Sequence, residues 1–365
     1  MAADHFPEVL PMDHVVVMAG GSGTRFWPES RMRRSKQFLD LTGRGSMIRE
    51  TIRRMFPLLR RENVWVVACE KDAPHLSARA LGIPAGNILL EPEGRNTAPA
   101  MALAVAHIAA RDPAAVIAAA PADHAVADER SFRSVLRKCF RLARRTGRFV
   151  TVGITPTYPA TGYGYIERGT PFAAGGDAVY NVRRFREKPD LPTARRFLKS
   201  GRFSWNSGIF FFRIDTFRDR FARFLPGIHA EMESAFRHSG KKTFPARLRA
   251  AYRRIPSISV DYGILEKEDN ILVVPSDFGW NDLGTWRSLH EFLGKPGENV
   301  AFGNVLLSDC RDSLVRSDQG LVAVVGMEDV VVIRCGDAVL VCDRTRSEEV
   351  KGIAEEVRAR FPHLS

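Results

Sequence analysis

The stretch HVVVMAGGSGTRFWPESRMRRSKQFLDL, residues 14–41, decides the class of fold. Its apolar run, His14 to Met18, is continuous, as in a strand covered on both faces, where a half-exposed strand would alternate. The run ends in Gly20, Gly21 and Gly23, and cations follow at Arg25 and Lys36. Glycines at such a place let backbone N–H groups converge on an anion with no Cβ in the way. The spacing fits neither of the common phosphate loops. Phe26 stands where a dinucleotide fingerprint needs its third glycine, and no Gly-Lys-Ser/Thr follows. The loop therefore reads as a phosphate-type loop of a third kind, with Arg25 and Lys36 in reach of a triphosphate. A glycine-rich turn with surface cations is the plainer alternative.

Outward from this stretch, strand-like runs alternate with helical ones. VWVVA (64–68), NILLE (87–91), AVIAAAP (115–121), FVTVGI (149–154), GIFFFR (208–213) and ILVVP (271–275) read as strands. Helical patterns occupy roughly 46–61, 98–111, 129–146 and 193–200. Such alternation predicts an α/β domain with a largely parallel sheet. The pattern changes at GKPGEN (294–299), which reads as a linker. Short β-rich pieces then recur with Gly, Asp and Asn turns, as in a small solenoidal stack, and RSEEVKGIAEEVRARF reads as a closing helix. The expected division is a leader over 1–13, an α/β domain over 14–293 and a β-rich domain over 294–365.

Composition narrows the class of function. The chain is 45% hydrophobic and 26% charged over 365 residues, enough for a sizeable core. No apolar run approaches the roughly 20 residues of a membrane span. The start MAADHFPEVLPMD lacks the basic and apolar regions of a signal peptide. The five cysteines form no CxxC pair, so buried free thiols in a reducing cytoplasm are expected. The net charge of +12 admits an anionic partner. However, the densest basic run, near residue 140, interleaves arginines with Phe132, Leu136, Cys139 and Phe140 at helical spacing, which is a solvated helix face. No nucleic-acid motif is present, and small phosphorylated substrates suit the positive field.

Several polar segments could carry chemistry. Asp123, in PADH after the run AVIAAA, falls just past a strand end, where ligands lie in open α/β sheets. A carboxylate there suits Mg²⁺; a helix N-cap is the alternative. Asp282, in FGWNDLGTW, is a second acidic candidate, with Asp261 and Asp277 as rivals. His124 has no second histidine at metal-ligand spacing and reads as structural. TGYGYIE (161–167), RFREKPD (184–190) and WNSGIFFF (205–212) are polar patches beside strand-like runs. Within them, Glu187 suits sugar hydroxyls, Lys188 a phosphate, and Asn206 hydroxyls through its amide. An exposed ion-pair turn before Pro189 is the plain reading of Glu187–Lys188.

MAGGSGTRFWPESR…SKQFL, EPEGRNTAPA, PADH, TGYGYIE, FREKP, WNSGIFFF, SVDYGILEK and FGWNDLGTW occur in this order. Together they resemble the bacterial mannose-1-phosphate guanylyltransferases of the sugar-nucleotidyltransferase superfamily, in the short form that lacks the isomerase domain of longer members. The resemblance spans about 14–290 and weakens into the tail. It implies a Rossmann-like three-layer α/β/α domain and a small C-terminal domain like a left-handed β-helix. It implies that Ala19, Gly20, Gly21, Ser22, Gly23 and Thr24 wrap the nucleoside triphosphate, with Arg25 and Lys36 as its cations. Glu91, Arg95 and Asn96 match the region beside the nucleobase, Asp123 and Asp282 the metal-holding aspartates, and Gly164, Glu187, Lys188 and Asn206 the sugar-phosphate contacts. The implied reaction joins GTP and α-D-mannose 1-phosphate to GDP-mannose and pyrophosphate, with Mg²⁺ and no general base. Two departures stand out: Ser35 replaces the proline usual before Lys36, and Glu29 the leucine usual in WPxSR. Another sugar 1-phosphate or nucleotide, or a non-catalytic sensor of sugar nucleotides, remains open at this level, as does a homodimer built through the β-rich tail.

Overall fold

The computed structural model describes residues 13–21, 23–31, 34–173 and 178–364. They pack as two compact units. One comprises the chain through Gly20, Ile52–Pro121 and Val126–Trp280; the other comprises Gly21–Thr51, Ala122–Ala125 and Asn281 onward. Packing thus divides the chain differently from sequence pattern, because 21–51, 122–125 and 281–293 group with the β-rich segment. The leader expected over 1–13 lies outside the described residues except for Asp13, which opens the first strand.

The first unit holds a nine-stranded sheet. Its strands are β1 (Asp13–Ala19), β2 (Val64–Cys69), β3 (Ile88–Glu91), β4 (Val116–Pro121), β6 (Phe149–Ile154), β7 (Tyr165–Pro171), β8 (Tyr180–Arg186), β9 (Phe203–Arg213) and β10 (Ile271–Ser276). The two-residue strands β5 (Ala125–Val126) and β11 (Trp280–Asn281) stand outside it. The order is β3-β2-β1-β4-β9-β6-β10-β8-β7. β3, β2, β1 and β4 are mutually parallel, as are β6 and β10. The sheet is mixed because β9 runs antiparallel between β4 and β6, and β8 antiparallel beside β10. An apolar run reports burial and not direction, so sequence pattern could not separate β9 from its neighbours. β1 and β4 end side by side, Met18 opposite Pro121, where the strand order reverses.

Both faces of this sheet are covered, which explains the continuous apolar strands. On β9, Phe211 meets Phe140 of the helix Glu129–Thr146 at a centroid distance of 5.0 Å, while Phe210 and Phe212 stack along the opposite face. Each such buried aromatic side chain stabilises by about 1.5–3 kcal/mol relative to exposure. The helix Glu129–Thr146 starts where the Asp128 carboxylate accepts from the N–H groups of Arg130 and Ser131, and stops at Gly147 with φ +64°. Its arginines lie between Phe132, Leu136, Cys139 and Phe140, which are buried. The helix Thr97–Ala109 is apolar on nearly every side and is almost wholly buried. The helices Ile214–Phe224, Pro226–Phe236 and Phe244–Arg254 complete the cover.

The second unit is a stack of short parallel strands. β12 (Val300–Phe302), β14 (Leu314–Ser317) and β16 (Val330–Cys335) form one face and β13 (Val305–Ser308) and β15 (Val322–Val325) another; β17 (Ala338–Asp343) closes the first face antiparallel to β16. The turn at Gly303 admits no side chain: φ is +80° and a Cβ would lie 1.9 Å from the Ser317 carbonyl oxygen. The expected closing helix is Val350–Arg360. The core of this unit joins Phe26, Trp27, Leu39 and Met47 to Trp286, Leu314, Val331 and Val350. The cysteines correct one expectation. All five are free, but only Cys139 is buried and the other four are partly exposed.

Candidate active site

In the second unit the segment after β1 folds as two single-turn helices, Thr24–Phe26 and Lys36–Phe38. Phe26 packs edge-on against Trp286 at 4.8 Å, and the Trp286 indole N–H donates to the Trp27 carbonyl at 3.2 Å. Gly23, at φ +58°, is required here, since a Cβ would lie 2.4 Å from the Lys36 Cβ. Gly21 needs its φ of +118°, whereas a Cβ on Gly20 or Gly21 would meet no atom within 4 Å. Ser22 lies outside the described residues, Thr24 is half-buried, and Ala19 is the buried last residue of β1.

Lys36 is the organising cation. Its side chain is 8% exposed. The ammonium donates to Asp123 Oδ2 at 2.8 Å and to the Asp282 carbonyl at 2.6 Å. It also lies 5.9 Å from the Phe26 ring centroid. Burial pushes the Asp123 carboxyl up, but Lys36 first and His124 second outweigh it and hold the group below the usual carboxylate range. Asp282 is aimed by a strained turn. Leu283 is fully buried at φ +45°, a conformation that costs a side-chain-bearing residue on the order of 1 kcal/mol or more. Asn281 Oδ1 accepts from Leu283 N at 2.7 Å and Asp282 Oδ1 from Gly284 N at 2.9 Å, which offsets the strain. Gly284 leaves room for the carboxylate, since a Cβ would sit 3.2 Å from both Asp282 oxygens. The ammonium ties the Asp123 carboxylate to the Asp282 main chain, and the carboxylates of these two residues are oxygen donors of the kind that suits a hard divalent cation with phosphate oxygens completing its shell. Among the described residues no cluster of three or more acidic, histidine or cysteine ligands occurs.

Arg25 stands apart from this group. Its Nε donates to Glu348 Oε2 at 2.7 Å, and both side chains are substantially exposed. The two departures from the family motif are accommodated. Ser35 is buried at φ −70°, within the range a proline would impose, so Lys36 keeps its presentation. Glu29 accepts from Arg316 Nε at 2.7 Å. Arg316 also donates to the carbonyls of Asp40 and Leu41 and lies over the Phe302 ring.

In the first unit, four expected residues come together at the β7–β8–β9 end of the sheet. A Cβ on Gly164 would lie 2.5 Å from Glu187 Oε2 and 3.3 Å from the Asn206 Cβ, so glycine is what admits the carboxylate. Gly164 O accepts from Asn206 N at 2.8 Å. Lys188 pairs with Glu187 at 3.3 Å, is 65% exposed, and takes the left-handed φ of +38° before Pro189. Asp261, weighed in the sequence as a rival metal ligand, instead accepts from the Asn206 amide at 2.9 Å. Burial first, then the neighbouring Asp261 carboxyl, raise Glu187 above its ordinary value against the pull of Lys188; burial also raises Asp261. Asp277 accepts from Gly279 N in an exposed turn.

The nucleobase candidates are organised by a residue that sequence reasoning missed. The buried Tyr252 hydroxyl donates to Glu91 Oε1 at 3.0 Å, and the Tyr252 carbonyl accepts from Arg95 Nε at 2.9 Å. Burial lifts the Glu91 carboxyl to about 7. Asn96 caps the helix Thr97–Ala109 from φ +68°, ψ −172°, a region that is nearly exclusive to glycine. Tyr252, Glu348 and Arg316 carry no local signal in the sequence, because each acts through a partner more than a hundred residues away.

The family model described as nucleotidyl transferase matches residues 14–295, and that described as MannoseP isomerase/GMP-like beta-helix domain matches 303–357. The chain belongs to the nucleotidyl transferases, in the mannose-1-phosphate guanylyltransferase family. It is 40% identical over 358 residues to the mannose-1-phosphate guanylyltransferase of Escherichia coli (strain K12), covering 95% of this chain and 74% of that one. It is 38% identical over 357 residues to the xanthan biosynthesis protein XanB of Xanthomonas campestris pv. campestris (strain B100), covering 96% and 74%. A crystal structure described as mannose-1-phosphate geranyltransferase from Thermus thermophilus superposes with a TM-score of 0.87 at 34% identity, over 95% of this chain and 99% of that one. Both domains expected from the sequence, a nucleotidyltransferase α/β domain and a β-helix-like domain, therefore stand. The family is one that uses a divalent metal. Among the described residues no helix is long and apolar enough to cross a membrane.

Proposed function

We propose that this chain transfers a guanylyl group from GTP to α-D-mannose 1-phosphate, releasing pyrophosphate, with Mg²⁺ as its metal. The reaction class rests on one observation: the Lys36 ammonium fixed between the Asp123 carboxylate and the Asp282 main chain. That arrangement concentrates cation and metal-type donors without a paired nucleophile and base. The substrates rest on the names borne by the relatives. A sugar 1-phosphate has a second pKa near 6 and is largely dianionic at pH 7, so its oxygen attacks without a base. The obstacle is the approach of one anion to another, which positioning and charge neutralisation overcome.

In this reading Asp123 and Asp282 hold the metal, and Mg²⁺ when bound would neutralise charge at the α-phosphoryl oxygens. Lys36 keeps Asp123 ionised and lends its charge to the departing pyrophosphate. Arg25 does the same once it exchanges Glu348 for the triphosphate, a trade of an exposed ion pair worth about 0–1 kcal/mol. Ala19–Thr24 offer backbone N–H groups to the phosphates, and Glu91, Arg95 and Asn96 border the base. Lys188 neutralises the sugar phosphate, while Glu187 and Asn206, seated by Gly164, take the sugar hydroxyls. The test is Asp282→Asn. It should raise the Mg²⁺ concentration needed for half-maximal turnover and lower kcat by on the order of 10²–10³. An unchanged Mg²⁺ dependence would remove Asp282 from the metal.

A further inference from the structure

One cluster of charged side chains in the first unit has no part in the site above. The Glu167 side chain on β7 is 3% exposed, and three guanidiniums converge on it. Arg184 Nε lies 2.7 Å from Oε2, Arg183 Nη1 3.5 Å from Oε1, and Arg202 Nη2 4.0 Å from Oε1. Successive residues of a regular strand point to opposite faces, so Arg183 and Arg184 should not reach the same carboxylate. They do so because the ladder is bulged. Glu167 stands opposite Arg184 but Arg168 opposite Val182, which leaves Arg183 as the extra residue and re-aims it. The residue just before β9 supplies the third cation, since Glu167 also stands opposite Phe203, the neighbour of Arg202.

Neutralising Glu167 requires one cation, and three are present. The bonds to it are also poor. Oε2 accepts no hydrogen bond in spite of the nearby Arg184, and the bond from Arg183 to Oε1 is long. Each of the three arginine side chains is 62–65% exposed, which leaves N–H donors open to solvent. Among the described residues no second carboxylate lies within ion-pair distance of any of the three. A buried carboxylate thus tethers three outward-facing forks whose like charges repel, and a planar fork with free N–H pairs matches the oxygens of a phosphate.

We propose that Arg183, Arg184 and Arg202, anchored by Glu167, form an accessory oxyanion site for a small phosphate-bearing molecule. The site shares strands with the sugar-phosphate candidates. Glu167 is three residues beyond Gly164, and Arg184 three before Glu187, which is about 10 Å along a strand.

The test is calorimetric titration of the full chain at low salt with inorganic phosphate, pyrophosphate and glucose 6-phosphate. Each is run in EDTA, so that no pyrophosphorolysis occurs, with and without saturating GDP-mannose, so that failure of the active-site reading does not decide this one. The comparison protein is Arg183→Gln/Arg202→Gln, which leaves Arg184 to neutralise Glu167 and so keeps the fold. A second variant, Arg183→Lys/Arg202→Lys, retains charge without the fork. The expected result is binding with a Kd below about 1 mM, weakened about tenfold or more in the glutamine variant and less in the lysine variant. A preference for inorganic phosphate or pyrophosphate would identify an inorganic ligand, and a preference for glucose 6-phosphate an organic phosphate. No binding to the wild type, or equal affinity in wild type and glutamine variant, overturns the proposal.

Discussion

Lys36 was legible in the sequence as a cation eleven residues beyond Arg25, and Asp123 as an acid at a strand end. Their 2.8 Å contact was not, because it joins positions 87 apart. The same limit applies to Glu91. Sequence places it at the end of a strand, but only the fold reveals that the Tyr252 hydroxyl is its partner and that burial lifts its carboxyl from 4.5 to about 7. The direction of that shift sets a pH dependence. Between these values the unfolded chain has lost the proton that the folded chain keeps, so the contribution is full below pH 4.5 and is lost as pH rises through 7. Above that, burying the charged form costs roughly 3 kcal/mol. Glu91→Gln keeps the shape and the acceptor for Tyr252, and should melt several degrees above the wild type at pH 8 but alongside it at pH 5. Thermal melts at the two pH values check this, and equal differences at both would show that Glu91 does not titrate in this window.

At the scale of elements, the buried strands β1, β2, β4, β6 and β10 were readable because continuous apolar runs need cover on both faces. β7 and β8 were not. Tyr180–Arg186 is half-exposed and arginine-rich, and a bulge breaks its alternation. The helices from Ile214 to Arg254 escaped for a different reason: Leu225 alone separates the first two, and proline serves there as a helix start. The β7–β8–β9 end of the sheet nevertheless carries the sugar candidates, and its packing makes a sharp demand at Gly164. Gly164→Ala would place a Cβ 2.5 Å from Glu187 Oε2 and force the carboxylate aside. Because misplacing a binding group by about 1 Å can cost up to 10²-fold, KM for the sugar phosphate should rise roughly tenfold or more. KM for the nucleotide should change little. Steady-state kinetics with each substrate varied in turn checks the split, and a rise confined to the nucleotide KM would misplace Gly164.

For the whole molecule, the change of pattern at 294 was visible, but not that the signature loop shares its core with the β-rich segment. Phe26 packs in one cluster with Trp286 and Leu314 although more than two hundred residues separate it from either, and no window along the sequence could reveal it. The β-rich segment is therefore a structural requirement of the loop that carries Arg25 and Lys36. Deleting residues from 300 onward should leave 21–51 open to proteolysis and abolish turnover. A deletion protein with a protected loop and normal activity would refute this. The central claim is tested most directly by pyrophosphate release from the purified chain with Mg²⁺, across the four NTPs and several sugar 1-phosphates. The account predicts highest turnover for GTP with α-D-mannose 1-phosphate. Highest turnover with another pair, or none with any pair while GTP still binds, would contradict it.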